Sequence, residues 1–209
     1  MIVGVGARAR AYAGWARSGA DVSFEPTLAA LTELLPPPPG RVLDVGCGEG
    51  RVGGVLAGRG YAVVGVDADS AMVALAVERH PALAADAADL PFPAGEFDTA
   101  ISVHVLMEVE LLEPALVEIA RVLVPGGVLV AVIEHPFASG RKVACYSRAE
   151  RYAWDVTHDG VDVELGGIHR PLDEYVRAVE GAGLGIETMR EISAGGWDPM
   201  SLALRAVRR

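Results

Sequence analysis

"RVLDVGCGEGR", residues 41–51, sets the carboxylate of Asp44 among Val42, Leu43 and Val45, then drops the side chain at Gly46, Gly48 and Gly50. An apolar strand gains nothing from a carboxylate. Glycine inside a regular element costs roughly 0.5–1 kcal/mol relative to alanine. A strand, a glycine loop and a helix start in succession build a crevice at the carboxyl end of a sheet. Something must approach the backbone closely there.

Outward from this stretch the chain alternates between strand-like and helix-like segments. "PPPP" at 36–39 stops what precedes, since proline neither continues a helix nor joins a central strand. Before it, 7–18 and 24–35 read as helices. After it come a helix in "GRVGGVLAGRG", a strand in "YAVVGVD", a helix in "SAMVALAVERH" and a weak strand in "ALAAD". "FDTAISV" is a fourth strand, "LEPALVEIARVL" a helix ending before "PGG", and "VLVAVIE" a fifth strand. "PLDEYVRAVEGAG" is a helix with a proline start and a glycine stop, and "LGIETMREI" and "MSLALRAV" form an antiparallel edge pair joined through "SAGGWDP". The expectation is an α/β fold with a Rossmann-like, seven-stranded, mostly parallel sheet and helices on both faces. Residues 135–170 show no sustained period, which reads as an irregular lid.

Composition narrows the function. The chain has 209 residues, 51% hydrophobic and 22% charged, enough for a sizeable core in one domain. This divides into a helical cap at 1–40, a cofactor-binding core at 41–134, the lid at 135–170, and a helix with edge hairpin at 171–209. The net charge of −10 argues against nucleic acid and anionic membranes as partners. No apolar run reaches the roughly 20 residues of a membrane span. The opening "MIVGVGARARAYAGWARSG" lacks the pattern of a signal peptide. Cys47 and Cys145 have no metal-type spacing, and no metal is expected. A cytoplasmic, reducing setting follows as the simplest expectation. A monomer and a homodimer are equally compatible with the sequence.

The crevice discriminates between cofactors. A dinucleotide site wants G-x-G-x-x-G, whereas this loop is G-C-G-E-G with Asp44 two residues ahead of it. A carboxylate there repels pyrophosphate and attracts an ammonium or sulfonium group. Asp67, closing "VVGVD", stands where an acid can take both hydroxyls of a ribose. At this point the chain resembles the class I S-adenosylmethionine-dependent methyltransferases of small-molecule type. Their D-x-G-x-G-x-G motif is matched by Asp44, Gly46, Gly48 and Gly50. "AADAADLPF", "FDTAISVHVLMEV" and "RVLVPGGVLV" are similar to the family's later motifs, in order.

The resemblance implies S-adenosylmethionine as cofactor and methyl transfer to oxygen or nitrogen of a small acceptor. It puts Asp67 at the ribose and Asp86, with Ala87 beside it, at the adenine, and counts Ala68, Ser102 and Val103 among the cofactor-binding residues. Cys47 falls within the cofactor loop and reads as a small filler rather than a nucleophile. Tyr12 covers the cofactor or packs its helix together with Trp15. Arg51 meets the cofactor carboxylate or is a solvated helix start. His104, His135 and His169 are candidate bases, with a hydrogen-bonded structural histidine as the alternative for each. His80 and His158 are expected to face solvent. A methyltransferase acting on nucleic acid or protein, a nicotinamide-dependent oxidoreductase and a non-catalytic cofactor-binding subunit stay open as alternatives.

Overall fold

The computed structural model describes residues 5–193, 196 and 198–209. Two helices, α1 (Val5–Arg17) and α2 (Phe24–Leu34), precede the alternating region. There follow β1 (Arg41–Val45), α3 (Arg51–Gly58), β2 (Ala62–Asp67), α4 (Ser70–Ala76), β3 (Ala82–Ala84) and β4 (Phe97–Val103). Next come α5 (Leu112–Val122), β5 (Leu123–Glu134), α6 (Pro136–Gly140), β6 (Glu150–His158) and β7 (Val161–His169). The chain finishes with α7 (Leu172–Gly181), β8 (Leu184–Ile192) and β9 (Ser201–Arg208). The main sheet has seven strands in the order β3-β2-β1-β4-β5-β9-β8. β9 pairs antiparallel with both β5 and β8, so it alone runs against the other six. This is the Rossmann-like sheet with an antiparallel edge pair that the sequence predicts. The linker "SAGGWDP" lies partly outside the described residues.

Strand residues alternate between two cores, as side chains on a pleat must. Leu129, Ala131 and Ile133 of β5 face Leu116 and Ile119 of α5 and Ala178 and Val179 of α7. Val128, Val130 and Val132 of the same strand face Leu31 and Leu34 of α2 and Leu56 of α3. Truncating a fully buried residue such as Leu31 or Ile119 to alanine costs about 2–5 kcal/mol. This rigid sandwich fixes the carboxyl ends of β1, β2 and β4 on one rim.

Two expectations about elements are corrected. "PGG" does not precede the fifth strand but lies inside it: Leu123 already pairs with Phe97, and the register shifts before Val128 pairs with Thr99. Gly126, at φ 77°, gives the chain the freedom to make that detour. Residues 135–170 are not irregular either. They hold α6 and the hairpin β6–β7, paired from Glu150↔His169 to His158↔Val161. The turn Asp159-Gly160 has φ 50° and 72°, the twist a two-residue hairpin requires. That Asp-Gly pair was the available signal. The mixed polar composition of both strands obscured it, because much of the hairpin is exposed.

Candidate functional site

Three glycines shape the rim. After β1 the chain turns back through Gly46 (φ 73°), Gly48 (φ 53°) and Gly50 (φ 79°), conformations that L side chains rarely adopt. The Gly46 and Cys47 amides donate to Val66 O at 2.8 and 2.9 Å, fastening the loop to β2. Asp67 Oδ2 accepts from the Gly48 amide at 2.8 Å and Oδ1 from Asp69 N at 2.9 Å. A side chain at Gly46 would run into Val105, and one at Gly50 would meet Ala76 Cα at 2.9 Å. Around Gly48 there is open space. Two of the glycines are therefore required by packing, and Gly48 leaves room for a ligand.

A cavity of about 100 Å³ lies beside this loop. Asp44, Gly46, Gly48, Val103 and His104 form its floor, while Tyr12, Asp21, Phe24 and Arg51 contribute the side toward α1 and α2. Asp44 is 2% exposed and its Oδ2 has no hydrogen-bond partner among the described residues. Burial, and then the neighbouring Asp67 charge, push its carboxyl up to about 7. A positively charged group in the cavity would restore the ionised form. The donor set thus fits a cationic ligand.

The cap is tied down by Arg51. Its guanidinium donates to Ala16 O at 2.7 Å and to Asp21 Oδ2 at 3.2 Å, and it lies 3.2 Å from the centroid of the Phe24 ring. It is therefore committed to the cap while a quarter of its side chain stays exposed. Tyr12 lines the cavity, 6.0 Å from Trp15 between ring centroids, and burial pushes its hydroxyl up to about 12. α1 also packs on β6 and β7.

The candidate histidines separate cleanly. His104 lines the cavity, has φ 57°, and its Nε2 has no partner among the described residues. Burial lowers its pKa against the opposing charges of Asp21 and Glu134. His135 is instead the N-cap of α6: Nδ1 accepts from Phe137 N at 3.1 Å, and Nε2 stands 3.3 Å from Glu191. His169 is fully buried, with Nδ1 2.8 Å from Ser139 Oγ and Nε2 2.9 Å from Tyr146 O. Both of its ring nitrogens are occupied, so it has no lone pair for an acceptor. Neither His135 nor His169 reaches the cavity lining.

Of the other sequence candidates, Cys47 lines the cavity, whereas Ser102, Ala68, Asp86 and Ala87 do not. Cys47 is 7% exposed, and burial with the nearby Asp44 and Asp67 charges holds its thiol protonated. Ser102 is wholly buried with an unpartnered Oγ. Ala68 is exposed, Ala87 half-buried, and the exposed Asp86 accepts from Ala88 N at 2.8 Å. His80 does not face solvent, whereas the His158 side chain stays 26% exposed. His80 is 5% exposed and fills the space left by the missing side chains of Gly50, Gly53 and Gly65. His158 occupies the space beside Gly14 of α1.

Sequence reasoning missed Glu49, 3% exposed, which binds Arg79 at 3.0 Å and so clamps the glycine loop to the end of α4. Its place between Gly48 and Gly50 was the signal. It also missed Thr27, buried in the cavity wall with an unpartnered hydroxyl. Among the described residues no group of three or more His, Cys, Asp or Glu is placed to hold a metal ion. No helix among them is long and apolar enough to cross a membrane.

Known proteins share this arrangement. Residues 43–131 match a family described as a methyltransferase domain. A Mycolicibacterium smegmatis protein described as a probable S-adenosylmethionine-dependent methyltransferase is 30% identical over 182 residues, covering 80% of this chain and 71% of that protein. The demethylmenaquinone methyltransferase of Thermus thermophilus is 36% identical over 131 residues, 58% of this chain. The chain spans 54% of that enzyme's length, and 42% of the Tropheryma whipplei enzyme of the same name. Among solved structures, an S-adenosylmethionine-dependent methyltransferase from Mesorhizobium loti superposes with TM-score 0.71 at 22% identity, covering 90% of this chain and 100% of that one. The Haloferax volcanii complex of a methyltransferase with its Trm112 activator contributes a chain with TM-score 0.74 at 20% identity, with 98% and 97% covered. At such identities the two structures establish the fold alone.

Proposed function

Since the chain belongs to the class I S-adenosylmethionine-dependent methyltransferase family, we propose that it methylates oxygen or nitrogen of a small metabolite. The family's cofactor, S-adenosylmethionine, supplies an electrophilic methyl group on a positively charged sulfur. The observation that carries the reading is Asp44: a buried carboxylate in the cavity wall, with no cationic side chain paired to it among the described residues. Asp44 with Gly46 and Gly48 would hold the methionine end. Asp67 already uses one lone pair on each oxygen, and the remaining lone pairs suit the ribose hydroxyls. Asp86 and Ala87 would meet the adenine, and Tyr12 and Arg51 would close over the cavity.

His104 is the proton acceptor in this reading. Its pKa is lowered by burial, so the ring is neutral at pH 7 and its Nε2 is uncommitted. A hydroxyl or ammonium acceptor entering beside it would lose its proton to that nitrogen, while the packed rim orients the two reactants. The net charge of −10 disfavours a nucleic-acid acceptor.

Calorimetric titration with S-adenosylmethionine and separately with NAD tests the cofactor, with binding expected for the first only. Incubating metabolite extracts with methyl-labelled cofactor and identifying the labelled product by mass spectrometry tests the acceptor class. Label found only in protein or nucleic acid would overturn the small-molecule reading.

A further inference from the structure

The chain contains 17 arginines and a single lysine, Lys142. That lysine lies against two aromatic rings. Its Nζ lies 3.9 Å from the centroid of the Trp154 ring and 5.0 Å from that of Tyr152. The two rings are almost parallel, 6° apart in plane and 5.9 Å between centroids. Lys142 Nζ donates to Glu134 Oε1 at 2.6 Å, while the Tyr152 hydroxyl donates to Glu134 Oε2. An ammonium group thus lies against two aromatic rings and is paired with a carboxylate.

We propose that Glu134, Tyr152 and Trp154 form a recognition site for an alkylammonium group on the acceptor, and that Lys142 fills this site in the free protein. Aromatic faces attract cations through the ring quadrupole, more strongly where water is thin. Tyr152 is 8% exposed and the Glu134 side chain 13%, so the site is largely desolvated before a ligand arrives. Lys142 and Trp154 remain partly open to solvent, which lets the flexible lysine stem swing away and a ligand enter.

The place in the fold suits an acceptor. Glu134 ends β5 on the same rim as the methyl-transfer cavity, two residues beyond Val132, whose carbonyl accepts from His104 N at 2.7 Å. Glu134 is also close enough for its charge to act on His104. Met107 Sδ, 3.2 Å from Glu134 N, fixes the backbone at this point. An acceptor anchored here by its ammonium would extend toward His104. The inference rests on the small-molecule reading above and narrows it to amine-bearing acceptors.

The test uses n-butylammonium, which reproduces the lysine side chain, against uncharged butan-1-ol, with tryptophan fluorescence as the readout and no cofactor present. In Lys142→Ala, n-butylammonium should give saturable quenching that butan-1-ol does not. The wild type should need about tenfold more or higher, since its own lysine competes with roughly the strength of a desolvated cation–π contact. Adding Glu134→Gln to Lys142→Ala keeps the Trp154 reporter and should abolish the response. Lys142→Met, which keeps the stem's packing, should bind like Lys142→Ala and guards against a folding defect. Equal responses to amine and alcohol, or none in either variant, would overturn the site. Because the assay needs no methyl transfer, its failure leaves the proposed reaction standing, and failure to methylate leaves the ammonium site standing.

Discussion

Asp67 Oδ2 accepts the Gly48 amide hydrogen at 2.8 Å, so the acid that ends β2 holds the loop that follows β1 in its ligand-ready shape. Replacing Asp67 with alanine should weaken S-adenosylmethionine binding by about 1.5–3 kcal/mol, the range for hydrogen bonds to a charged group. Calorimetry reads this directly. Unchanged affinity would remove Asp67 from the site.

Asp44 gives the cofactor-free protein a pH dependence of known sign. Its folded pKa, about 7, lies above the usual value of 3.8, so the folded state holds a proton that the unfolded chain has released. The native state therefore keeps its full stability below about pH 4 as far as this group is concerned, and loses some as pH rises through 7. The loss is on the order of a few kcal/mol, at 1.36 kcal/mol per unit. Asp44→Asn should flatten the fall in melting temperature between pH 5 and 8. An identical slope in the variant would assign the pH dependence elsewhere.

Gly48 and Gly50 should respond differently to alanine. Both have positive φ, which costs a side chain roughly 1–2 kcal/mol. Gly50→Ala also sets its Cβ 2.9 Å from Ala76 Cα, so its stability loss should exceed that of Gly48→Ala. Gly48→Ala should fold with only the smaller loss yet bind cofactor poorly, because its methyl group projects into the open space. Thermal melts paired with calorimetry separate the two effects.

For the histidines, His104→Asn is the informative variant, since asparagine tolerates the left-handed backbone at this position. Turnover should fall by about 10²–10⁴-fold with cofactor affinity nearly intact. His169→Ala should act through stability, by about 1–3 kcal/mol, because it removes the hydrogen bonds of a fully buried ring to Ser139 Oγ and Tyr146 O. Steady-state kinetics and denaturant melts on both proteins check the division of roles. A fully active His104→Asn enzyme would leave positioning alone as the source of catalysis.

Arg51 should control access. A cavity of about 100 Å³ is smaller than the roughly 300–1,000 Å³ of pockets that enclose drug-sized ligands, so cofactor entry should be accompanied by outward movement of α1 and α2. Arg51→Ala removes the contacts to Ala16 and Asp21, and residues 10–23 should become more sensitive to proteolysis. In stopped flow, cofactor association should quicken. Slower association would show that Arg51 recruits the cofactor rather than holding the cap.

The sheet and its glycine loop were legible because their signals are local: a strand period, three glycines at fixed spacing, and an acid at each of two strand ends. The hairpin at 150–169 was not, since its pairing depends on partners across the turn and its exposed side chains blur the alternation. The site was half legible. Asp44 and Gly48 announce themselves by chemistry that a plain strand would reject. His104 could not be ranked above His135 and His169, because sequence placed all three near the rim. Only packing reveals that one caps a helix, one is held at both nitrogens, and one is left free.

His80 and its surroundings have a consequence for how this protein can change over time. One imidazole fills the room left by Gly50, Gly53 and Gly65, with Cys47 pressed against the same spot. An alanine at Gly53 is tolerable only after the ring has gone, and losing the ring first leaves a void. Gly53 and His80 should therefore vary as a pair across descendants of this chain, His80 shrinking as Gly53 gains carbon. A laboratory lineage begun from His80→Ala should acquire Gly53→Ala among its first stabilising changes.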